Sequence, residues 1–169
     1  MSRPYEVLEH TADVGLRARG RTLEEVFTNM ALGMLALVVA EPGRISGREQ
    51  RRVAAGAEDL EGLLVAWLSE FVYLVDAEGF LVARIEGARI TGRAAAIDET
   101  GATDGTGGGD AESAMWTVSA VVHGERIDPT RHQMELEIKG VSYHLVKVGR
   151  SDVAGEPGGG WVAQAIFDV

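Results

Sequence analysis

Two acids far apart in the chain offer the clearest chemistry. Asp13 sits in "EHTADVG", where a turn-like stretch leads into an alternating segment, and Asp168 is the penultimate residue of "WVAQAIFDV". Taken singly, each has an ordinary role: an aspartate in a turn accepts bonds from nearby backbone N–H groups, and an acid at a chain end is solvated. If the first and last strands are neighbours, however, Asp13 and Asp168 converge, and the carboxylate of Val169 adds a third negative group. Such groups repel one another unless a cation neutralises them. Hard divalent ions take oxygen clusters of this kind, with water or backbone carbonyls completing the shell. Most chain ends trail off in loose polar residues; this one alternates in hydrophobicity up to Phe167, as expected of an end held in place as a ligand.

Other candidates are weaker. Lys139, in "ELEIKGVSYH", is one of two lysines among 16 basic residues. A lysine amid so many arginines suits a compact point charge rather than a planar fork, and its ordinary alternative is an outward-facing strand residue. His10, His132 and His144 are possible proton carriers or metal ligands. None is paired at the spacing of a helical metal motif, which leaves structural hydrogen bonding as their simpler role. A nucleophile elbow, a phosphate-binding loop and a dinucleotide fingerprint are all missing, so no catalytic residue is assigned. Without cysteine, disulfides, thiolate catalysis and sulfur-ligated zinc are excluded. Any metal must be held by oxygen or imidazole.

The charge balance of 26 acids against 16 bases, net −10, points the same way. Counterion release rewards basic surfaces, so strong direct binding of nucleic acid is not expected, although a local basic patch can exist. A basic protein surface is the better partner. No apolar run reaches the ~18 residues of a membrane span, and "MSRPYEVLEH" lacks the layout of a secretion signal. An intracellular, cytoplasmic protein without membrane attachment is expected.

The elements that must position these residues follow from periodicity. "YEVLEHTADVGLRARG" reads as two short strands, with Val14, Leu16 and Ala18 alternating against Gly15, Arg17 and Arg19. "RTLEEVFTNMALGMLALVV" reads as a helix: Thr22 and Glu25 form a capping box, and Leu23, Val26, Phe27, Met30, Met34, Leu35 and Val38 make one apolar face. "RISGREQRRVAAG" predicts an exposed strand. "AEDLEGLLVAWLSEFVYLVDAEG" predicts the strongest helix, with Trp67 and Phe71 as core and Gly79 as a left-handed cap. "FLVARIEGARITGRAAAI" predicts one or two strands, "MWTVSAVVHG" another, "QMELEIKGVSYHLVKVG" a long strand or a bent pair, and "WVAQAIFDV" the last. The glycine-rich stretch at 98–114 reads as a mobile hairpin loop, and "GEPGGG" as a flexible turn. The expected architecture is α+β: one domain over 1–169, a sandwich of two amphipathic helices on mostly antiparallel sheet.

Four blocks in order, "YEVLEHTADVGLRARGRTLEEVFTNMALGMLALV", "EDLEGLLVAWLSEFVYLVD", "GERIDPTRHQMELEIKGVSYH" and "GGWVAQAIFDV", resemble the archease family over nearly the whole chain. The resemblance implies a small α+β protein that is a cofactor, not a catalyst. Its partner would be an RtcB-type RNA ligase, which joins RNA 3′-phosphate or 2′,3′-cyclic phosphate ends to 5′-hydroxyl ends in tRNA splicing and RNA repair. The cofactor would promote guanylylation of the ligase's histidine and sustain multiple turnover. By position, the resemblance implies a divalent-metal site, associated with calcium, at Asp13, Asp168 and Val169, and a functional role for Lys139. In place of the family's "IKAVTYH"-like strand this chain has "IKGVSYH", so Gly140 and Ser142 are expected to alter strand packing rather than chemistry. His10 and His144 stay secondary candidates. Two other functions compete: a chaperone that modulates a tRNA methyltransferase, and a small metal-dependent phosphoester hydrolase using the same acids.

Overall fold

The computed structural model describes residues 4–9, 13–92, 115–151 and 159–169. The loop expected at 98–114 lies outside these, as does His10. Among the described residues there are two α-helices, α1 (Leu23–Val38) and α2 (Leu60–Asp76). Thr22 begins α1, its Oγ1 accepting the Glu25 N–H at 3.1 Å. The Glu25 carboxylate reaches one residue further than a standard capping box and accepts the Arg21 N–H at 2.9 Å. Asp59 begins α2 by accepting the Gly62 N–H at 2.6 Å. That helix closes as its pattern predicts: the N–H groups of Ala77 and Glu78 both donate to the Tyr73 carbonyl, and Gly79 adopts φ +60°.

Among the described residues seven strands accompany the helices: β1 (Tyr5–Glu9), β2 (Asp13–Gly20), β3 (Glu49–Ala57), β4 (Phe80–Gly92), β5 (Trp116–Arg126), β6 (Gly140–Ser151) and β7 (Gly160–Asp168). They form a four-stranded sheet in the order β1-β2-β7-β6 and a three-stranded sheet in the order β3-β5-β4, with every pairing antiparallel. The expected α+β architecture is therefore the observed one. The "FLVARIEGARITG" segment forms one strand with two register shifts, one of them beside Gly87 at φ +64°. A short 3-10 turn at Pro42–Arg44 precedes β3.

Each helix packs against both sheets. Phe27, Trp67, Phe71, Phe80 and Phe167 are wholly buried. Trp67 and Phe71 meet edge to face at 4.8 Å, and the Trp67 indole N–H donates to the Phe27 carbonyl at 3.1 Å. Each such side chain contributes about 1.5–3 kcal/mol by leaving water. On β2, Leu16 and Ala18 enter this core while Arg19 stays exposed, the alternation expected of a half-buried strand. The other face of the four-stranded sheet is thereby left to solvent.

The region read as a long or bent strand divides in two. Residues 133–139 are irregular and tied to the end of α1, with the Ala40 N–H donating to the Gln133 carbonyl at 2.9 Å and the Glu135 N–H to the Val38 carbonyl at 2.8 Å. β6 then begins at Gly140 and carries a large bulge. Ser142 pairs with Ile166 and Lys147 with Gln164, so four residues, 143–146, stand opposite the single residue Ala165. Leu145, within the bulge, has φ +59°. For a residue with a Cβ this left-handed conformation costs energy.

Candidate functional site

β7 occupies a central place between β2 and β6, and the register that follows brings distant residues together. Asp13 is the direct cross-strand partner of Asp168, and Gly140 pairs with Asp168 on the other side. The Lys139 N–H donates to the Asp168 carbonyl at 2.8 Å. Directly opposed antiparallel residues have Cβ atoms about 4.5–5.5 Å apart, and the two aspartates share the face turned from the core. Asp13 is half-buried, whereas Asp168, Val169 and Lys139 are exposed. A Cβ at Gly140 would meet only Asp168 Oδ2, at 3.7 Å. The apex of the sheet thus gathers Asp13, Asp168 and Lys139, with Val169 next in the chain.

The donor set there fits a hard cation, since its side-chain donors are carboxylate oxygens. Among the described residues no three His, Asp or Glu side chains gather into a metal-holding group. At this apex Asp13 and Asp168 are the side-chain carboxylates that the described register brings together. His144 does not join the apex through a described bond. It is exposed in the β6 bulge, its N–H donating to Ser142 Oγ at 3.0 Å. A cleft of about 310 Å³ between α1, α2 and residues 134–138 contains neither Asp13 nor Asp168.

His132 has the structural role first expected of it. Its buried ring accepts the Asp128 N–H on Nδ1 at 2.9 Å, which leaves Nε2 to donate to Glu125 at 2.9 Å. Arg131 grips the same carboxylate with two bonds of 3.0 and 2.8 Å, and the Ser46 N–H adds one of 2.8 Å. The Arg131 guanidinium, then the Ser46 N–H and the His132 ring, hold the Glu125 carboxyl down to about 2. This knot fixes the turn at 128–131 that feeds the segment leading to Lys139. Nothing local in "GERIDPTRH" marks Glu125 and Arg131 as side chains that meet across a turn.

The profile of the Archease protein family matches residues 5–169. This chain belongs to the archease family. Its archease relatives include that of Methanosarcina acetivorans, 36% identical over 169 residues with 99% of this chain and 97% of the relative covered. That of Pyrococcus furiosus is 30% identical over 167 residues, covering 99% of both. The solution structure of Methanobacterium thermoautotrophicum protein 1598 superposes with a TM-score of 0.67 at 25% identity, covering 99% of this chain and 100% of that one. The archease match includes both β2 and β7, the two strands that carry the opposed aspartates.

Proposed function

We propose that this archease is a non-catalytic cofactor of an RtcB-type RNA ligase, promoting guanylylation and repeated turnover through the apex at Asp13, Asp168 and Lys139. The observation that carries this reading is the Asp13–Asp168 pairing: two acids that repel each other are aligned across strands, where like charges cost stability. Selection for a bound cation accounts for that cost. Asp13, Asp168 and the carboxylate after Val169 would hold a divalent ion, calcium by family resemblance. Bound there, such an ion supplies positive charge that offsets phosphoryl oxygens. Asp13 and Asp168 orient the apex, and the Lys139 N–H fixes the backbone of Asp168 so that its carboxylate keeps one direction. The Lys139 ammonium, in no ion pair with a described acid, is available to an anionic group of the partner. The overall charge of −10 suits approach to a basic, RNA-handling surface.

The test adds purified protein to a cognate ligase with GTP and labelled RNA. Asp13→Ala and Lys139→Ala should lose most of the stimulation of guanylylation and turnover, as should a chain extended by one residue after Val169. Equal stimulation by all three would remove the apex from the mechanism. Phosphoester hydrolysis by the protein and metal alone, abolished by Asp13→Ala, would establish the hydrolase instead.

A further inference from the structure

The outer face of the four-stranded sheet is electrically polarised. Its apex is acidic, yet four residues along β2 the sign reverses. Arg17, Gln164 and Lys147 form one cross-strand row, and Arg19, Val162 and Gly149 the next. These rows, with Arg150 and Ser151, line an open trough of about 610 Å³. Gly149 keeps its floor low, since a Cβ there would meet nothing within 4 Å. Arg17 is oriented by Gln164, whose Oε1 accepts its guanidinium N–H at 2.9 Å while the Gln164 amide donates to the Leu145 carbonyl at 3.2 Å. Arg150, one residue out of step with Lys147 and Gly149, turns to the other face and stacks on the ring of its cross-strand partner Trp161 at 4.4 Å.

In a chain where acids exceed bases by ten, this grouping is against the average. Two acids border it: Glu61 on the trough wall and Glu6, the β1 partner of Arg17. Neither forms an ion pair with Arg17, Arg19, Lys147 or Arg150 among the described residues. On the outer face Arg17, Arg19 and Lys147 thus outnumber the bordering described acids and are not discharged by them.

We propose that this trough binds the phosphodiester backbone of a single-stranded RNA segment. Arg17 and Arg19, two residues apart on one strand face, project about 7 Å apart, and Lys147 stands about 10 Å across from Arg17. These separations are on the scale of successive phosphates. Guanidinium forks pair with phosphate oxygens in two-point contacts. A strand lying here points along β2 toward the cation-holding apex about 13 Å away. The choice of RNA over another polyanion rests on the ligase reading above; the site itself does not. The acid majority elsewhere keeps the affinity modest and confines binding to this end of the sheet.

The test is fluorescence anisotropy of a labelled 12-nucleotide oligoribonucleotide at 50 mM salt. Binding should weaken at least tenfold in the combined Arg17→Gln, Arg19→Gln, Lys147→Gln variant, and its log–log salt slope should fall by about 2, at ~0.7 per lost phosphate contact. The exposed pair Arg19→Gln, Lys147→Gln, less prone to misfolding, should lose affinity by an intermediate factor. Asp13→Asn should bind within twofold of wild type while losing ligase stimulation, which separates this site from the apex. No binding by wild type, equal binding by the triple variant, or equally good competition by poly-glutamate would overturn the proposal; the last would assign the trough to an acidic protein segment.

Discussion

Replacing Asp13 by asparagine should change stability in opposite directions with and without a cation. The variant keeps the shape of the side chain and removes one of two opposed charges. Two unit charges about 5 Å apart repel by about 1 kcal/mol when water screens them and about 3 kcal/mol at an effective dielectric of ~20. Asp168 is exposed, so the lower figure applies. In chelator at low salt, Asp13→Asn should therefore be more stable by about 1 kcal/mol, or roughly 2–4 °C in Tm for a chain of this size. If the apex holds calcium, the ion at a hundredfold its wild-type Kd would stabilise the wild type by about 2.7 kcal/mol, whereas a site weakened a hundredfold would gain about 0.4 kcal/mol. Wild type should then lead by roughly 1 kcal/mol, and the order of melting temperatures reverses. The assay is calorimetric or fluorescence melting of both proteins in chelator and across a calcium titration. An Asp13→Asn variant less stable in both conditions would show that Asp13 serves only as a turn acceptor. A calcium-induced rise equal in the two proteins would place any ion elsewhere.

Glycine substitutions separate a packing constraint from a permissive site. Gly124→Ala drives its Cβ into the Leu81 carbonyl across the β4–β5 pairing, so urea denaturation should reveal a loss of 2 kcal/mol or more at about the upper range for overpacking. Gly140→Ala, whose Cβ makes only ordinary contact with Asp168, should shift the midpoint by less than about 0.5 kcal/mol. Trp67→Ala should cost about 3–5 kcal/mol, since it removes a wholly buried ring and its bond to the Phe27 carbonyl. Glu125 predicts a pH effect. Its carboxyl titrates near 4.5 when unfolded and about 2 when folded, so its stabilisation is complete above about pH 4.5 and lost as pH falls toward 2. Urea midpoints of wild type and Glu125→Gln should converge over that window and stay separated at pH 6.

The helices were legible because their information is local. Thr22 and Asp59 announce the starts, Gly79 the end of α2, and the apolar stripes match the buried faces. The apex was legible only in part. Sequence patterning showed that the β2 and β7 segments were strands, but their adjacency is a fact of sheet order, and alignment of residue 13 with residue 168 is a fact of register. Neither leaves a local mark, so the family resemblance carried that step. β6 shows a sharper limit. Ser142 and Lys147 are five residues apart, and strict period-two counting puts them on opposite faces. The bulge at 143–146 restores both to the outer face, which is why Lys147 could not be grouped with Arg17 and Arg19 from the alternation alone.

The position of β7 has a kinetic consequence. This strand lies between β2 and β6, and it bonds to a segment about 150 residues earlier in the chain. Contacts of such long span are slow to close, because the loop entropy must be overcome before any pairing compensates it. Both helices can form while β2 and β6 still lack their common neighbour. A half-folded or nicked molecule that keeps its helices still presents Asp13 without its cross-strand counterpart Asp168. Completion of folding and assembly of the apex are, for this architecture, the same event.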